Sequence, residues 1–169
     1  ALTAQCNAAR LAELLRDAEK MTRSGQLEEA EELVIQALDM ERSPAVLVAA
    51  GRVIMEMEGP QAALPVFGEA LQKDALYPPA HMAAADAFFQ LSDGRCIVHM
   101  AQAVALSPET RDYRENFLIC ANIFSDHALS SRDPVIVTAV NACLERSDTD
   151  LQALRYLWLP LLIADPKYT

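Results

Sequence analysis

The sequence predicts an all-α fold of stacked antiparallel helical hairpins with a capping helical segment at the C-terminal end. Few glycines, many alanines and scattered leucines make up a composition that favours helices. Apolar residues recur at helical spacing. Three consecutive segments of 33 residues align with one another: Leu11–Ser43, Pro44–Leu76 and Tyr77–Glu109.

Small side chains form three columns in this alignment. The columns contain Ala18, Gly51 and Ala84, then Ala30, Ala63 and Cys96, then Ala37, Ala70 and Ala103. Two helices can approach to about 8–10 Å only where the side chains at the crossing are small. The columns therefore predict two helices in each segment that cross at these positions. A glycine inside a helix, such as Gly51, indicates an especially close crossing.

Turn signals separate the two helices of each segment. They are Ser24-Gly25 in the first segment, Glu58-Gly59-Pro60 in the second and Ser92-Asp93-Gly94 in the third. Pro60 suits the first position of a helix, where its missing N–H is not needed. Each segment is therefore predicted to be a helix–turn–helix hairpin.

The stretch from Gly25 to Ala30, with Ala37-Leu-Asp after it, resembles the signature of tetratricopeptide repeats (TPRs). Phe67 and Met100 stand in a large apolar column of that signature, and Pro108 stands in its closing-proline column. The resemblance covers Leu11–Glu109 and implies a TPR-like α-solenoid over residues 1–109. The period of 33 departs from the usual repeat of about 34 residues.

Residues 110–169 lose the repeat register and are expected to cap the array or to lead to a further domain. The pattern predicts three helices, at about Tyr113–Phe124, Pro134–Arg146 and Thr149–Ala164, with a serine-containing loop between the first two. Asp133 is expected to be the N-cap of the second helix. The third helix contains Trp158 and is apolar nearly all round, so it must be covered. Its own domain, a second copy in a homo-oligomer and a further domain remain open as the cover.

The net charge of −10 argues against a nucleic-acid partner, which would select a basic face. The acidity predicts good solubility or a preference for basic partners. No uncharged run approaches the roughly 20 residues that cross a bilayer, so no membrane partner is expected. Without a secretory signal, the four separated cysteines indicate a cytoplasmic, reduced protein.

No residue pattern predicts catalysis, a cofactor or a metal. No two glycines are close enough to build a phosphate-binding loop. Cys96 and His99 could share a helix face, but further ligands are missing for a closed zinc site. Asp86, Asp126 and His127 suggest acid–base chemistry only by residue type. The chain is therefore expected not to be an enzyme.

The resemblance implies that the first helix of each hairpin lines a concave groove that binds a peptide or a helix. The partner-binding residues expected there are Val48, Arg52, Met55, His81, Phe88, Phe89, Arg111 and Arg114. Apolar anchors would fill this groove, and Arg52 and Arg114 would orient the ligand. In the alternative, both phenylalanines are core residues and these two arginines pair with Glu19, Glu56 or Glu115.

A second interpretation belongs to a different class of function. The tail Phe117–Pro166 is similar to the junction in bacterial proteins in which a TPR region precedes a methyltransferase domain. The chain would then be the non-catalytic N-terminal recruiting region of such an enzyme. A glycine-rich nucleotide-binding motif downstream of Thr169 would favour this interpretation, and a stop codon there would favour a free adaptor.

Overall fold

A computed structural model of the chain describes residues 2–131 and 133–146, and every regular element within those ranges is an α-helix. The chain divides into two compact units, of which the first is Ala1–Ala75 and the second begins at Leu76. The predicted boundary at residue 109 stays a prediction. The helical hairpins of the predicted fold are present in both units.

The first unit contains two helical hairpins. Its helices are α1 (Leu2–Ser24), α2 (Leu27–Met40), α3 (Pro44–Glu58) and α4 (Pro60–Lys73). Helix α1 packs on α2 and α3 packs on α4, while α3 also contacts both helices of the first hairpin. Outside the core, Arg42 joins the start of α3 to α4 through two hydrogen bonds of 2.6 and 2.7 Å to the carboxylate of Glu69.

The second unit begins with a third hairpin and continues with three more helices. These five elements are α5 (Pro78–Gln90), α6 (Cys96–Leu106), α7 (Arg111–Ile123), α8 (Ser125–Ser131) and α9 (Pro134–Leu144). Helix α6 is central, because it packs against α5, α7 and α9. Asp133 caps α9 as predicted, since its carboxylate accepts a hydrogen bond of 3.0 Å from the backbone N–H of Val135.

All nine members of the three small-residue columns are buried. The crossing in the second hairpin is close, because a Cβ added to Gly51 would collide with the ring of Phe67. That ring is fully buried. Glycine is therefore required at position 51 by the closeness of α3 and α4, which the column pattern predicted.

The turns that follow the first helix of each hairpin use left-handed backbone conformations. Gly25 and Gly59 have φ values of 79° and 99° in the first two hairpins. In the third hairpin Ser92 takes this conformation with φ of 53°, although Gly94 lies only two residues further on. A residue with a Cβ is strained there, so the third turn is the least regular of the three.

Two expectations about helix boundaries were wrong. Helix α1 starts at Leu2, well before Leu11, and its added residues are exposed. The expected serine loop is helical, since Ser125–Ser131 forms α8 with Asp126 in its first turn. An acidic side chain there is favoured by the helix dipole. The predicted helix Thr149–Ala164 lies outside the described residues.

Replacing Gly51 should test the close crossing. We expect Gly51→Ala to lower the free energy of unfolding by about 1–3 kcal/mol, because the added methyl group meets a buried ring that cannot withdraw. Thermal or urea unfolding followed by circular dichroism measures the change. Gly51→Leu should be more destabilising still.

Gly68 on α4 provides the matched control. A Cβ at Gly68 meets no atom within 4 Å. Gly68→Ala should therefore stabilise the protein by up to about 1 kcal/mol through helix propensity alone. Equal effects of the two alanine substitutions would contradict the close crossing at Gly51.

Candidate partner-binding surface

The first unit supplies three residues of the predicted binding set, all on α3. Val48 and Met55 are each only 7% exposed. Arg52 lies between them in sequence and is half-buried. Of these three side chains, Arg52 therefore offers the most surface to a ligand.

The second unit supplies the other five predicted residues, and they differ sharply in exposure. His81, Phe88 and Arg114 are buried. Phe89 is 37% exposed, as expected for a residue about 100° around the helix from Phe88. Arg111 is exposed and forms an ion pair of 2.6 Å with Glu115, one turn further along α7.

Buried Arg114 has a structural contact at the end of the third hairpin. Its guanidinium donates a hydrogen bond of 2.7 Å to the carbonyl oxygen of Pro108. The same positive charge opposes the effect of burial on Cys143, whose pKa burial raises to about 11. Arg114 therefore links the start of α7 to the interior of the second unit.

An unexpected aromatic and imidazole cluster lies between α5 and α6. The Nδ1 atoms of His81 and His99 are 3.2 Å apart. At this distance the Nδ1 atom of one ring donates a hydrogen bond and the Nδ1 atom of the other ring accepts it. His99 also stacks on Phe88, with ring centroids 5.5 Å apart and an interplanar angle of 15°.

The turn before α6 adds charge to this cluster. The guanidinium carbon of Arg95 lies 4.5 Å from the centroid of the Phe88 ring, in a cation–π contact. Arg95 also donates hydrogen bonds of 2.7 to 3.1 Å to both carboxylate oxygens of Asp93, which lowers the pKa of Asp93 to about 2. A Cβ at Gly94 would collide with His127 of α8, so this turn is packed closely.

His99 is held in its neutral form. Burial lowers its pKa to about 4, with further contributions from the neighbouring charges of His81 and Arg95. The sequence did not place His99 or Arg95 beside His81 and Phe88, because helical spacing alone does not give the register between two helices.

Several accessible apolar side chains of the second unit lie on α5 and α7 or directly after them. Phe89 contacts Phe124 edge to face, with ring centroids 6.0 Å apart. Leu91, Ile119 and Ile123 are 38%, 51% and 55% exposed. Ile119 and Ile123 share one face of α7, because they are four residues apart. We refer to these five residues as the α5–α7 apolar set.

The described residues also bear on metals and membranes. Within residues 2–131 and 133–146, no group of three or more histidine, cysteine or acidic side chains is arranged to hold a metal ion. No helix in the same ranges is both long and apolar enough to span a bilayer.

Comparison with known proteins finds likeness in structure only. No protein-family model matches the sequence, and no curated protein matches it either. Two crystal structures of MamA, a TPR-containing protein, resemble the chain at 14% identity. One has a TM-score of 0.56 over 85% of this chain and 83% of MamA, and the other 0.58 over 89% and 81%.

The fold is TPR-like. This likeness confirms the predicted all-α class of repeated helical hairpins. It does not extend to a methyltransferase or to another catalytic family.

The depressed pKa of His99 predicts a pH-dependent stability. An unfolded chain binds a proton at His99 near its ordinary pKa of 6.5, whereas the folded protein binds it only near pH 4. Stability from this group is therefore complete above pH 6.5 and is lost as the pH falls towards 4. Its largest slope is about 1.4 kcal/mol per pH unit.

The measurement compares unfolding of the wild type with that of His99→Phe across this pH range. Phenylalanine keeps a ring for Phe88 to stack on but cannot titrate. The free energy of unfolding should therefore fall less at acidic pH, by the amount that His99 contributes in the wild type. His127→Asn serves as the control and should keep most of the wild-type slope. Identical pH profiles for the wild type and His99→Phe would show that His99 is not held neutral.

Proposed function

We propose that this chain is a non-enzymatic interaction module that binds a peptide or a helix of another polypeptide. Its TPR-like hairpins support this function, because stacked hairpins present helix faces on which apolar side chains of a partner can dock. The observation that carries the proposal is the α5–α7 apolar set on the second unit.

The chemistry of this set suits protein recognition. Exposed aromatic residues are frequent among the side chains that contribute most to binding, and Phe89 is the accessible aromatic of the predicted set. Ile119 and Ile123 lie four residues apart on one face of α7. They form an apolar stripe against which a partner helix can pack anchors that recur at three and four residues. A partner with two or three apolar anchors is therefore expected.

The charges around the apolar set favour basic flanks on that partner. No lysine occurs between Leu76 and Arg146. Arg95 and Arg111 are held in ion pairs, whereas Asp112 and Asp126 are exposed on α7 and α8. Acidic groups near an apolar surface speed the encounter with a basic segment and disfavour acidic ones.

Other parts of the sequence-based interpretation stay predictions. These are the concave groove on the first helices, the recruiting role in a TPR–methyltransferase, a homo-oligomer and the helix with Trp158. Burial of Val48 and Met55 shifts the expected anchoring role towards Phe89. Arg52 remains a candidate to orient a ligand.

The decisive experiment selects peptide ligands on the full chain and then measures their affinity for variants. We expect Phe89→Ala to weaken binding of selected peptides by more than about tenfold, as is typical for loss of an aromatic anchor. Isothermal titration calorimetry measures this change. Selected peptides should contain apolar residues flanked by lysine or arginine.

Ile35→Ala is the matched control. Ile35 is an apolar residue of α2 that is 51% exposed, but it belongs to the second helix of its hairpin. Its substitution should leave peptide affinity within about twofold of the wild type, which corresponds to a change in binding free energy well under about 1 kcal/mol. If Phe89→Ala instead lowers the melting temperature and leaves affinity unchanged, Phe89 is a core residue and the proposed site is wrong.

A further inference from the structure

Two histidines face each other between the helices of the third hairpin. The Nδ1 atoms of His81 on α5 and His99 on α6 are 3.2 Å apart, and their ring centroids are 5.5 Å apart. His81 is buried and His99 is half-buried, so water can deliver a proton to the pair through His99. We propose that this pair is an acid-sensitive switch, which holds α5 against α6 while at most one ring is charged and releases them when both rings are protonated.

The geometry of the contact decides which protonation state opens the switch. In the neutral pair, one Nδ1 atom donates a hydrogen bond to the other. The first proton leaves this bond in place, because a protonated ring still donates from Nδ1 to a neutral ring. After the second proton both Nδ1 atoms are donors and no acceptor remains between them. Two like charges then lie at a contact of 3.2 Å, which favours separation of the rings.

The surroundings disfavour the doubly protonated pair further. Burial lowers the pKa of His99 to about 4, and the charges of His81 and of Arg95 in the turn before α6 contribute to the same shift. Helices α7 and α9 also pack against α6. Their buried titratable or charged side chains are Arg114, Cys120 and Cys143. None of these three, and no carboxylate of the described residues, is among the groups that shift the pKa of His99. Asp86 of α5 acts on Cys120, and Asp93 is bound to Arg95.

The histidine pair is joined to the α5–α7 apolar set through Phe88. The ring of His99 stacks on Phe88, whose neighbour in the chain is the exposed Phe89. The carbonyl oxygens of Phe88 and Phe89 accept hydrogen bonds of 2.9 and 3.0 Å from the backbone N–H groups of the following turn, at Asp93 and Ser92. Because Ser92 has a strained φ of 53°, release of α5 from α6 lets the turn relax and displaces Phe89 with it. Weaker peptide binding by the open hairpin follows from this displacement and rests on the proposed function.

His99 sets the pH range of the switch. Its pKa is about 4 in the closed hairpin and takes the ordinary value of 6.5 when the ring is released into water. The closed hairpin is therefore fully favoured above pH 6.5 and loses this advantage as the pH falls towards 4. By linkage, the ratio of open to closed molecules should rise about 20-fold between pH 7 and pH 5.

The test titrates the full chain by NMR, with isotope-labelled histidine and phenylalanine. We expect the ring signals of Phe88 and Phe89 to shift together with the protonation of His99, at a midpoint between about 4 and 6.5. Phe67, which is buried in the first unit, should keep its signal over the same range. Phenylalanine rings that stay fixed while His99 titrates would overturn the proposal. A simultaneous change at Phe67 would also overturn it, because it would show global unfolding instead of a local switch.

Substitutions identify the titrating group. His99→Phe should remove the pH-dependent shift of Phe89, whereas His127→Asn should keep it. His99→Gln provides a second variant that cannot titrate, should phenylalanine prevent folding. A wild-type pH profile of Phe89 in either folded variant of His99 would contradict the switch, and the titration of the wild type decides the proposal without any variant.

Peptide binding separates this inference from the proposed function. The probe is a synthetic peptide selected on the full chain at neutral pH, and calorimetry measures its affinity at pH 7 and pH 5. The wild type should lose up to about 20-fold more affinity than His99→Phe, because the acidic groups on α7 and α8 titrate equally in both proteins. Equal losses would refute the control of binding by the switch and leave the proposed function intact. If selection yields no peptide, the proposed function fails, and the NMR titration still decides the switch.

Discussion

The close approach of paired helices at columns of small side chains is the constraint on which each hairpin depends. Gly51 lies under the ring of Phe67, and even one added methyl group would collide with that ring. Leu14, Ala37 and Val46 pack around such a crossing in the first unit. The two helix axes of a hairpin stay close only where small residues stand at their crossing. Because the crossing lies at the same place in each hairpin, these small residues recur with a period of 33 residues.

The repeated elements of the fold could be predicted from the sequence, whereas the helical segments that bury few side chains could not. Columns, turns and the cap at Asp133 are local patterns with a direct physical cause. The first residues of α1 are exposed, so no apolar stripe marks where the helix begins. Helix α8 is short and polar at its start, and three serines between Ser125 and Ser131 favour turns as much as helices. Neither boundary has a packing signal that sequence reasoning could use.

The candidate site shows the same limit at the level of side chains. The TPR resemblance predicted which helices face a ligand, and this stays a prediction. Helix geometry separates the adjacent residues Phe88 and Phe89 by about 100°, which fits their unequal exposure. Neither argument could give the burial of each side chain, because burial depends on neighbours that are distant in sequence. His99 is the clearest case: its contact with His81 depends on the register of α6 against α5. Arg111 was expected to contact a ligand, and in the structure its guanidinium forms an ion pair with Glu115, one turn further along α7.

Departures from the repeat pattern collect in the third hairpin and bring chemistry with them. Ser92 holds a backbone conformation that the other hairpins give to glycine. Cys96 takes the place of an alanine at the start of α6, which changes packing little because a thiol is small and this side chain is fully buried. Local rules that a fold breaks without a packing benefit are commonly broken for function. The first two hairpins therefore keep the repeat pattern, whereas the third is the part of the chain in which the pattern changes while the hairpin architecture stays the same.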